Sequence, residues 1–305
     1  MRLRYLLLPL LATLALAACH GRDEAAQVGG STPLAAVQGS IDLLKTGDFN
    51  GLWKHALPPA DYATLRADWS RRNANQPPPD ALEQAKFAAA MQQLTAPDAQ
   101  DKLDAQLQPK LAAMTQQYQD QLPVLVAMGG AFLKNGVARN QALDDEQRAQ
   151  ADGLIDALTP WAQQAPWFDP GHAKQAVATV VATARKLDLK NADALRAMDF
   201  DTAMGKLGTG YTGLKQVLAI YGLPVDEALA SVKLSTPASQ GDHAVVKVDY
   251  TLLGKPLSAE TRVVKLDGRW YSEALIRNVR EAHARLLPAG AGQGLPRAGR
   301  AASAH

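Results

Sequence analysis

Cysteine is nearly absent from this chain of 305 residues, which contains Cys19 and no other cysteine. A single thiol excludes an intramolecular disulfide and the zinc sites that several cysteines build. Histidine is scarce as well, and no two of the six histidines have the HExxH spacing of a zinc protease. We therefore expect neither a metal nor a cofactor, and packing has to supply the stability of the fold.

Recognisable catalytic motifs are also lacking. No serine lies in a nucleophile elbow, and no Ser-x-x-Lys motif occurs. Residues 208–213 have the glycine spacing of a dinucleotide-binding loop, but residues 199–207 before them do not have the strand pattern that such a loop requires. We interpret residues 208–213 as a flexible lead into a helix. The sequence therefore names no reaction.

A strong net charge is the third absence, since the formal charge of the whole chain is only +2. Two of the 32 basic residues, Arg2 and Arg4, and none of the 30 acidic residues precede position 19. Residues 19–305 consequently carry 30 basic and 30 acidic residues and no formal net charge. A neutral chain exerts no long-range attraction on nucleic acid, so we expect no nucleic-acid partner.

The most informative part of what is present is the first 19 residues. Arg2 and Arg4 give a positively charged start, and residues 6–15 are apolar apart from Thr13. Small residues follow directly before Cys19. This three-part pattern is typical of an export signal, and its apolar run is too short to span a bilayer.

Leu16, Ala17, Ala18 and Cys19 supply in order an aliphatic residue, two small residues and a cysteine. Residues 1–19 thus resemble the signal peptide and lipobox of bacterial lipoproteins. The resemblance implies cleavage after residue 18, a diacylglyceryl thioether on Cys19 and acylation of the new amino terminus, for example by palmitate. The acylated Cys19 would then hold the protein to the lipid bilayer. The alternative is an ordinary secreted protein whose cysteine has no such role.

The residue that follows the cysteine bears on which membrane holds the chain. In enteric-type lipoproteins an aspartate at that position often signals retention in the inner membrane. Here the position is occupied by His20. The resemblance therefore favours anchorage in the outer membrane, with the folded body facing the periplasm.

Composition and periodicity divide the rest of the chain. Residues 19–33 form a polar, glycine-containing tether, and residues 34–170 repeat apolar positions at helical spacing, which predicts a helical domain. Residues 171–287 begin with helices and change to period two, which predicts an α+β domain with three to four antiparallel strands. Residues 288–305 are rich in Gly, Ala and Pro, and we expect them to be disordered.

The fold class is therefore α+β and predominantly helical, with a helical N-terminal region, a small antiparallel meander and a C-terminal helix. Asp80 and Asp144 each stand before a helical pattern as N-caps. Pro109 predicts a kink or a break. Residues 124–133 are the most apolar stretch after the leader, and we expect them to form a buried central helix. Residues 159–172 are predicted to form a loop.

The strand pattern is clearest at residues 243–252, where apolar and polar residues alternate. Asp267-Gly268 then predicts a hairpin turn before Trp270, which we expect in the core. Residues 171–287 resemble the cone-shaped α+β domains of the nuclear-transport-factor-2-like and cystatin-like type. That resemblance implies helices packed on a curved antiparallel sheet, and such domains host small-ligand binding, dimerisation and occasional catalysis.

One segment combines aromatic side chains with a titratable group. Trp161, Trp167 and Phe168 stand close to His172. These residues are our candidates for lining a groove that binds a ligand or peptide. The alternative interpretation is that the aromatic side chains anchor the core. His172 is also a candidate general base, although a histidine in a loop usually has no such role.

Three functional hypotheses remain. The first is a non-enzymatic envelope lipoprotein that binds a protein partner or a small apolar ligand. The second is a periplasmic enzyme with an unrecognised site in the concave mouth of the sheet, using His172 or Asp199. The third is a structural or assembly factor of the outer membrane. A deep apolar pocket would favour a ligand, and an exposed apolar patch of several hundred Å² would favour a partner.

Overall fold

The computed structural model describes residues 27–75, 77 and 80–287. The leader, the lipobox Leu16 to Cys19 and the start of the tether lie outside these residues, as does the tail 288–305. The interpretations of those segments therefore stay predictions.

The predicted fold class is confirmed: the described chain is predominantly helical and ends in an antiparallel sheet followed by one helix. The first helices are α1 (Pro33–Thr46), α2 (Phe49–Ala56), α3 (Pro59–Asn75), α4 (Ala81–Thr95), α5 (Ala99–Tyr118) and α6 (Leu122–Arg139). They are followed by α7 (Asp145–Gln164), α8 (Pro170–Leu187), α9 (Ala192–Arg196), α10 (Phe200–Ile220) and α11 (Val225–Ala230). The sheet contains β1 (Lys233–Gln240), β2 (His243–Leu252), β3 (Lys255–Leu266) and β4 (Arg269–Ser272), and α12 (Glu273–Ala284) follows it.

The four strands form a simple meander in the order β1-β2-β3-β4, with every pair antiparallel. The predicted turn at Asp267-Gly268 is confirmed, and both residues have positive φ, 49° and 79°. Positive φ at both central residues is the hairpin turn whose twist matches that of the strands. The preceding hairpin turns at Leu253-Gly254, again with positive φ at both positions. Both turns of these hairpins thus have the same backbone geometry.

The main core lies between the sheet and the first two helices. Alternate residues of β2 are buried, and the apolar stripe of α1 packs against them. Trp270 belongs to the same cluster, as predicted. Because α1 and α2 supply much of this cluster, the core is drawn from both sides of the domain boundary expected near residue 170.

A second contact fixes the first described residues to the last strand. Gly30 forms an isolated antiparallel bridge with Trp270, with both N–H···O distances at 2.9 Å. The guanidinium of Arg269 donates to the backbone carbonyls of Val28 and Gly29 at 3.1 and 2.6 Å. The chain that arrives from the tether is therefore held at the edge of the sheet.

His55 completes this attachment from inside the protein. Its side chain is almost fully buried, and its Nδ1 lies 2.7 Å from the Gln27 carbonyl while Nε2 lies 3.0 Å from the Ala36 carbonyl. A Cβ at position 39 would lie 2.5 Å from that ring, so only Gly39 leaves room for it. The imidazole therefore joins α1, α2 and the N-terminal segment.

Ion pairs attach the last helix to α3. Arg280 donates two hydrogen bonds to the carboxylate of Asp61, both at 2.8 Å. Asp68, which is only 2% exposed, lies 2.8 Å from Nδ1 of His283 and accepts from Arg71 at 2.9 Å. The C-terminal helix is thus fixed by charge as well as by its apolar face.

The structure differs from two expectations about helix interruption: the helix does not break at Pro109, and residues 159–172 do not form one loop. Pro109 lies inside the continuous helix α5, and α7 continues through Pro160 to Gln164. Residues 159–172 are therefore mostly helical, and only residues 165–169 connect α7 to α8. A proline in a helix interior removes one backbone donor, and both helices continue in spite of that loss.

Candidate functional site

Helices α6 and α7 form a helical hairpin, and one side of α6 is exposed to solvent. Gly130 of α6 lies against Thr159 of α7, and a Cβ at Gly130 would lie 2.9 Å from the threonine hydroxyl. The ammonium of Lys134 pairs with Asp156 at 2.6 Å. These contacts determine which side of α6 faces α7 and which side faces away.

The side that faces away is apolar. The exposed fractions are 61% for Val124, 64% for Met128 and 78% for Phe132, and Leu125 and Leu133 are also about half exposed. The expectation that residues 124–133 form a buried central helix is wrong. Residues 122–139 form a helix as the apolar run suggests, but its inner stripe alone packs on α7.

The size of this surface makes it the leading candidate site. Soluble monomers rarely expose a contiguous apolar patch above a few hundred Å², and such patches mark interaction sites. Five large apolar side chains on adjacent turns of one helix reach that range. We call the five residues the α6 face: Val124, Leu125, Met128, Phe132 and Leu133. Among the described residues, no helix has both the length and the apolarity needed to cross a bilayer.

The aromatic residues predicted near position 170 do come together, around a residue that the sequence did not single out. Trp167 stacks on Tyr221 with ring centroids 5.1 Å apart, and Trp161 meets Trp167 edge-on at 5.2 Å. The indole N–H of Trp161 donates to the Tyr221 carbonyl at 2.7 Å. The His172 ring centroid lies 6.3 Å from that of Tyr221, and Phe168, which follows Trp167 in the chain, is half-buried.

This cluster ties the ends of α7, α8 and α10 together. Burial raises the pKa of the Tyr221 hydroxyl, and the nearby carboxylate of Asp169 adds to the rise. Both indole N–H groups are satisfied by backbone carbonyls, the one on Trp167 by Ala162 at 2.7 Å. Such contacts are those of core anchors, and ligand binding by Trp161, Trp167, Phe168 and His172 stays a prediction.

The two residues named for the enzyme hypothesis lie at helix starts. The carboxylate of Asp199 caps α10, accepting from the Thr202 backbone N–H at 2.9 Å. That bond, joined by the Thr202 hydroxyl, lowers the pKa of Asp199. The ring of His172 lies 2.6 Å from the Asp169 carboxylate, which itself caps α8. Asp199 and His172 therefore take part in hydrogen bonds at the starts of their own helices.

The glycines at 208–213 do not form a flexible lead, and that expectation is wrong. They lie inside α10, where a Cβ at Gly208 would lie 2.2 Å from the Gly47 carbonyl oxygen. A Cβ at Gly213 would lie 2.2 Å from the Thr183 hydroxyl on α8. The spacing that imitates a phosphate-binding loop therefore allows helices to approach closely.

Two cavities test the idea of an enclosed site. The one between α1, α2 and the sheet is apolar and measures about 70 Å³, well below the roughly 300 Å³ at which ligand pockets begin. The other, of about 340 Å³, is an open groove lined mainly by threonines and glycines of α1, α8 and α10. Neither is lined by His172 or Asp199.

The sequence did not predict the buried carboxylate of Asp68, whose contacts hold helices together. The pair Asp68–His283 has the geometry of a base and its orienting carboxylate, but it lies between α3 and α12 and lines neither cavity. Across the described residues, no group of three or more His, Cys, Asp or Glu side chains is placed to hold a metal. The α6 face is therefore the strongest candidate, and its sequence signal was the apolar run itself.

Comparison with known proteins found no similar protein. The chain matches no protein-family model, and no curated protein and no solved structure is significantly similar to it.

Proposed function

We propose that this chain is a lipid-anchored lipoprotein of the bacterial envelope that works as a non-enzymatic interaction module. Residues 1–18 direct export and are removed, and the acylated Cys19 holds the body at the outer membrane on its periplasmic side. The lipobox residues Leu16, Ala17 and Ala18 support the anchorage. The observation that carries the interaction role is the exposed apolar α6 face.

The arrangement of the described residues favours interaction over chemistry. The apolar cavity beneath the sheet is too small for a substrate of ordinary size. The histidines and carboxylates that lie close together bind helix ends or helix pairs. An uncovered apolar surface, in contrast, requires an occupant, because such a surface promotes aggregation when it is left in water.

The anchorage is tested by metabolic labelling with radioactive palmitate, followed by separation of inner and outer membranes. The natural chain is expected to carry the label and to sediment with the outer membrane, whereas Cys19→Ser is expected to lose both. His20→Asp is a matched variant that leaves the cysteine intact and is expected to move the labelled protein to the inner membrane. Equal sedimentation of the natural chain and Cys19→Ser without label would contradict the proposal.

The interaction role is tested with the double variant Met128→Ser/Phe132→Ser. A matched control is Leu82→Ser, because Leu82 is 62% exposed on α4, away from the α6 face. The double variant is expected to lose crosslinks to envelope components that the natural chain and the control retain. Identical crosslinking patterns in all three proteins would contradict a role of the α6 face.

A further inference from the structure

We propose that the occupant of the α6 face is the lipid surface itself, so that α6 lies in the interface of the membrane to which the chain is tethered. This inference rests on the proposed lipid anchor for its geometry. It identifies the partner as a phospholipid leaflet, and it makes the chain a protein with two membrane attachments, one covalent and one through a helix.

The chemistry of the α6 face fits hydrocarbon better than protein. All five side chains are apolar, and the helix contains no acidic residue. Protein interfaces carry about one hydrogen bond per 100–200 Å² and a polar rim. A face without polar side chains offers few such bonds, whereas acyl chains require none. Interfacial helices bury an apolar face of this kind at the boundary between headgroups and acyl chains.

The polar residues of α6 are placed consistently with this orientation. Lys134, Asn135 and Arg139 all stand in the C-terminal third of the helix, after the α6 face has ended. The ammonium of Lys134 is held by Asp156 on α7, which leaves the Arg139 guanidinium at the end of the helix facing solvent. The exposed Arg139 guanidinium suits the phosphates of a bilayer surface, and α6 itself contains no carboxylate.

The shape of the surface argues against a second copy as the occupant. Stable protein interfaces bury about 800 Å² on each partner. The α6 face is one side of a single helix, and its five side chains amount to roughly 500 Å², well below the area that a stable dimer buries on each partner. A convex ridge of this area penetrates a fluid leaflet without a complementary surface, which a dimer would have to provide.

The tether brings the two surfaces together. Cys19 and Gln27, the first described residue, are eight residues apart, so the chain between them spans at most about 28 Å in any conformation. A body held this close to the bilayer meets it at a high effective concentration, which adds to the partitioning of the helix itself. The tether therefore supplies proximity while the α6 face supplies orientation.

The test uses the mature chain, residues 19–305, with Cys19→Ser, so that no acyl group contributes. Because Cys19 is the only cysteine, Phe132→Cys in this background gives one site for an environment-sensitive nitrobenzoxadiazole label. With vesicles of phosphatidylethanolamine and phosphatidylglycerol in a 3:1 ratio, the label at position 132 is expected to brighten several-fold. The same label introduced through Leu82→Cys, a site on α4 where the natural side chain is also mostly exposed, is expected to keep its fluorescence unchanged.

Partitioning is measured in parallel by sedimentation with the same vesicles. Met128→Ser/Phe132→Ser is expected to lower the partition coefficient at least tenfold, whereas Leu82→Ser changes it less than twofold. Both variants are expected to keep the far-UV circular dichroism and unfolding midpoint of the parent, because the altered side chains are exposed. A lost fold in the double variant leaves the label at position 132 as the deciding measurement.

Three outcomes would overturn the inference. The first is that the Cys19→Ser protein does not bind vesicles, and the second is that the α6 and α4 variants lose vesicle binding equally. The third is that the label at position 132 brightens when the protein concentration is raised without vesicles. The last would assign the α6 face to a second copy. Palmitate labelling of the natural chain separates the two proposals. If the chain is acylated but its α6 face does not bind vesicles, the proposed function stands and the inference is wrong. If α6 binds vesicles but the chain is never acylated, the inference stands and the proposed anchorage is wrong.

Discussion

Replacement of His55 by alanine tests whether the first described segment is held from inside the core. The imidazole is 1% exposed, and its two nitrogens face the carbonyls of Gln27 and Ala36 at 2.7 and 3.0 Å. Only the protonated ring donates to both carbonyls at once, whereas the neutral ring donates to one. His55→Ala removes these bonds and leaves a cavity that the glycine at position 39 cannot fill.

The expected loss follows from these contacts. A net contribution of about 1 kcal/mol for each hydrogen bond, and about 2 kcal/mol for a buried ring of this size, gives a loss of roughly 3–4 kcal/mol in the free energy of unfolding. For a body of this length, such a loss lowers the melting temperature by about 6–14 °C. Few single substitutions outside a core of large aliphatic side chains have an effect of this size.

The assay is urea unfolding of the mature Cys19→Ser chain, followed by tryptophan fluorescence. His243→Ala is the matched control, since the His243 side chain is 67% exposed, and we expect a change within about 0.5 kcal/mol. Arg269 holds the same segment from the other side. The double variant His55→Ala/Arg269→Ala should therefore lose less free energy of unfolding than the sum of the two single losses. A midpoint for His55→Ala equal to that of the control would refute the reasoning.

Three further predictions address α10 and the buried charges. Gly208→Ala is expected to destabilise the fold by at least 1 kcal/mol, because its Cβ meets the Gly47 carbonyl, whereas Gly210→Ala, with open space around it, should stabilise by about 0.5–1 kcal/mol in the same urea assay. Burial, aided by a neighbouring carboxylate, raises the pKa of Tyr211 to about 12. Stability due to this raised pKa is complete below pH 10, the pKa of an unfolded tyrosine, and is lost as the pH rises towards 12. Burial also raises the pKa of Tyr221 and Tyr250, so Tyr211→Phe is expected to reduce the late-ionising absorbance at 295 nm by the share of one tyrosine. Asp68→Ala is expected to cost about 1–2 kcal/mol, because it removes the contacts of a buried carboxylate with the partly exposed side chains of Arg71 and His283, and an unchanged melting temperature would contradict this.

The features that the sequence predicted correctly are local ones. The N-caps Asp80 and Asp144 accept from the backbone N–H groups three residues on, as their spacing indicates. The period of two in β2 and the Asp267-Gly268 turn appear as expected. Each of these depends on residues within one turn or one hairpin, where sidedness and backbone angle follow directly from the residue types.

The features that the sequence could not supply depend on pairs far apart in the chain. Gly208 is required because of Gly47, and the Trp167 ring is placed by Tyr221. No single segment contains both members of such a pair, so its own pattern leaves the contact undetermined. A GxGxxG spacing inside a helix is a clear example, since the same letters serve phosphate binding or helix packing according to what lies opposite.

The error at residues 124–133 has a different cause, and it bears on function. The apolarity of a segment determines how strongly it avoids water, but it does not determine whether the segment is buried by the same chain, by another protein or by lipid. The stripe that contains Gly130 already satisfies the packing of α6 on α7. The most exposed side chains of the α6 face, Met128 and Phe132, contribute little to that contact, so the packing of α6 on α7 does not require these two to be apolar. The proposed contact of α6 with the bilayer would account for their apolar character, because the proposed anchor holds the chain at that bilayer.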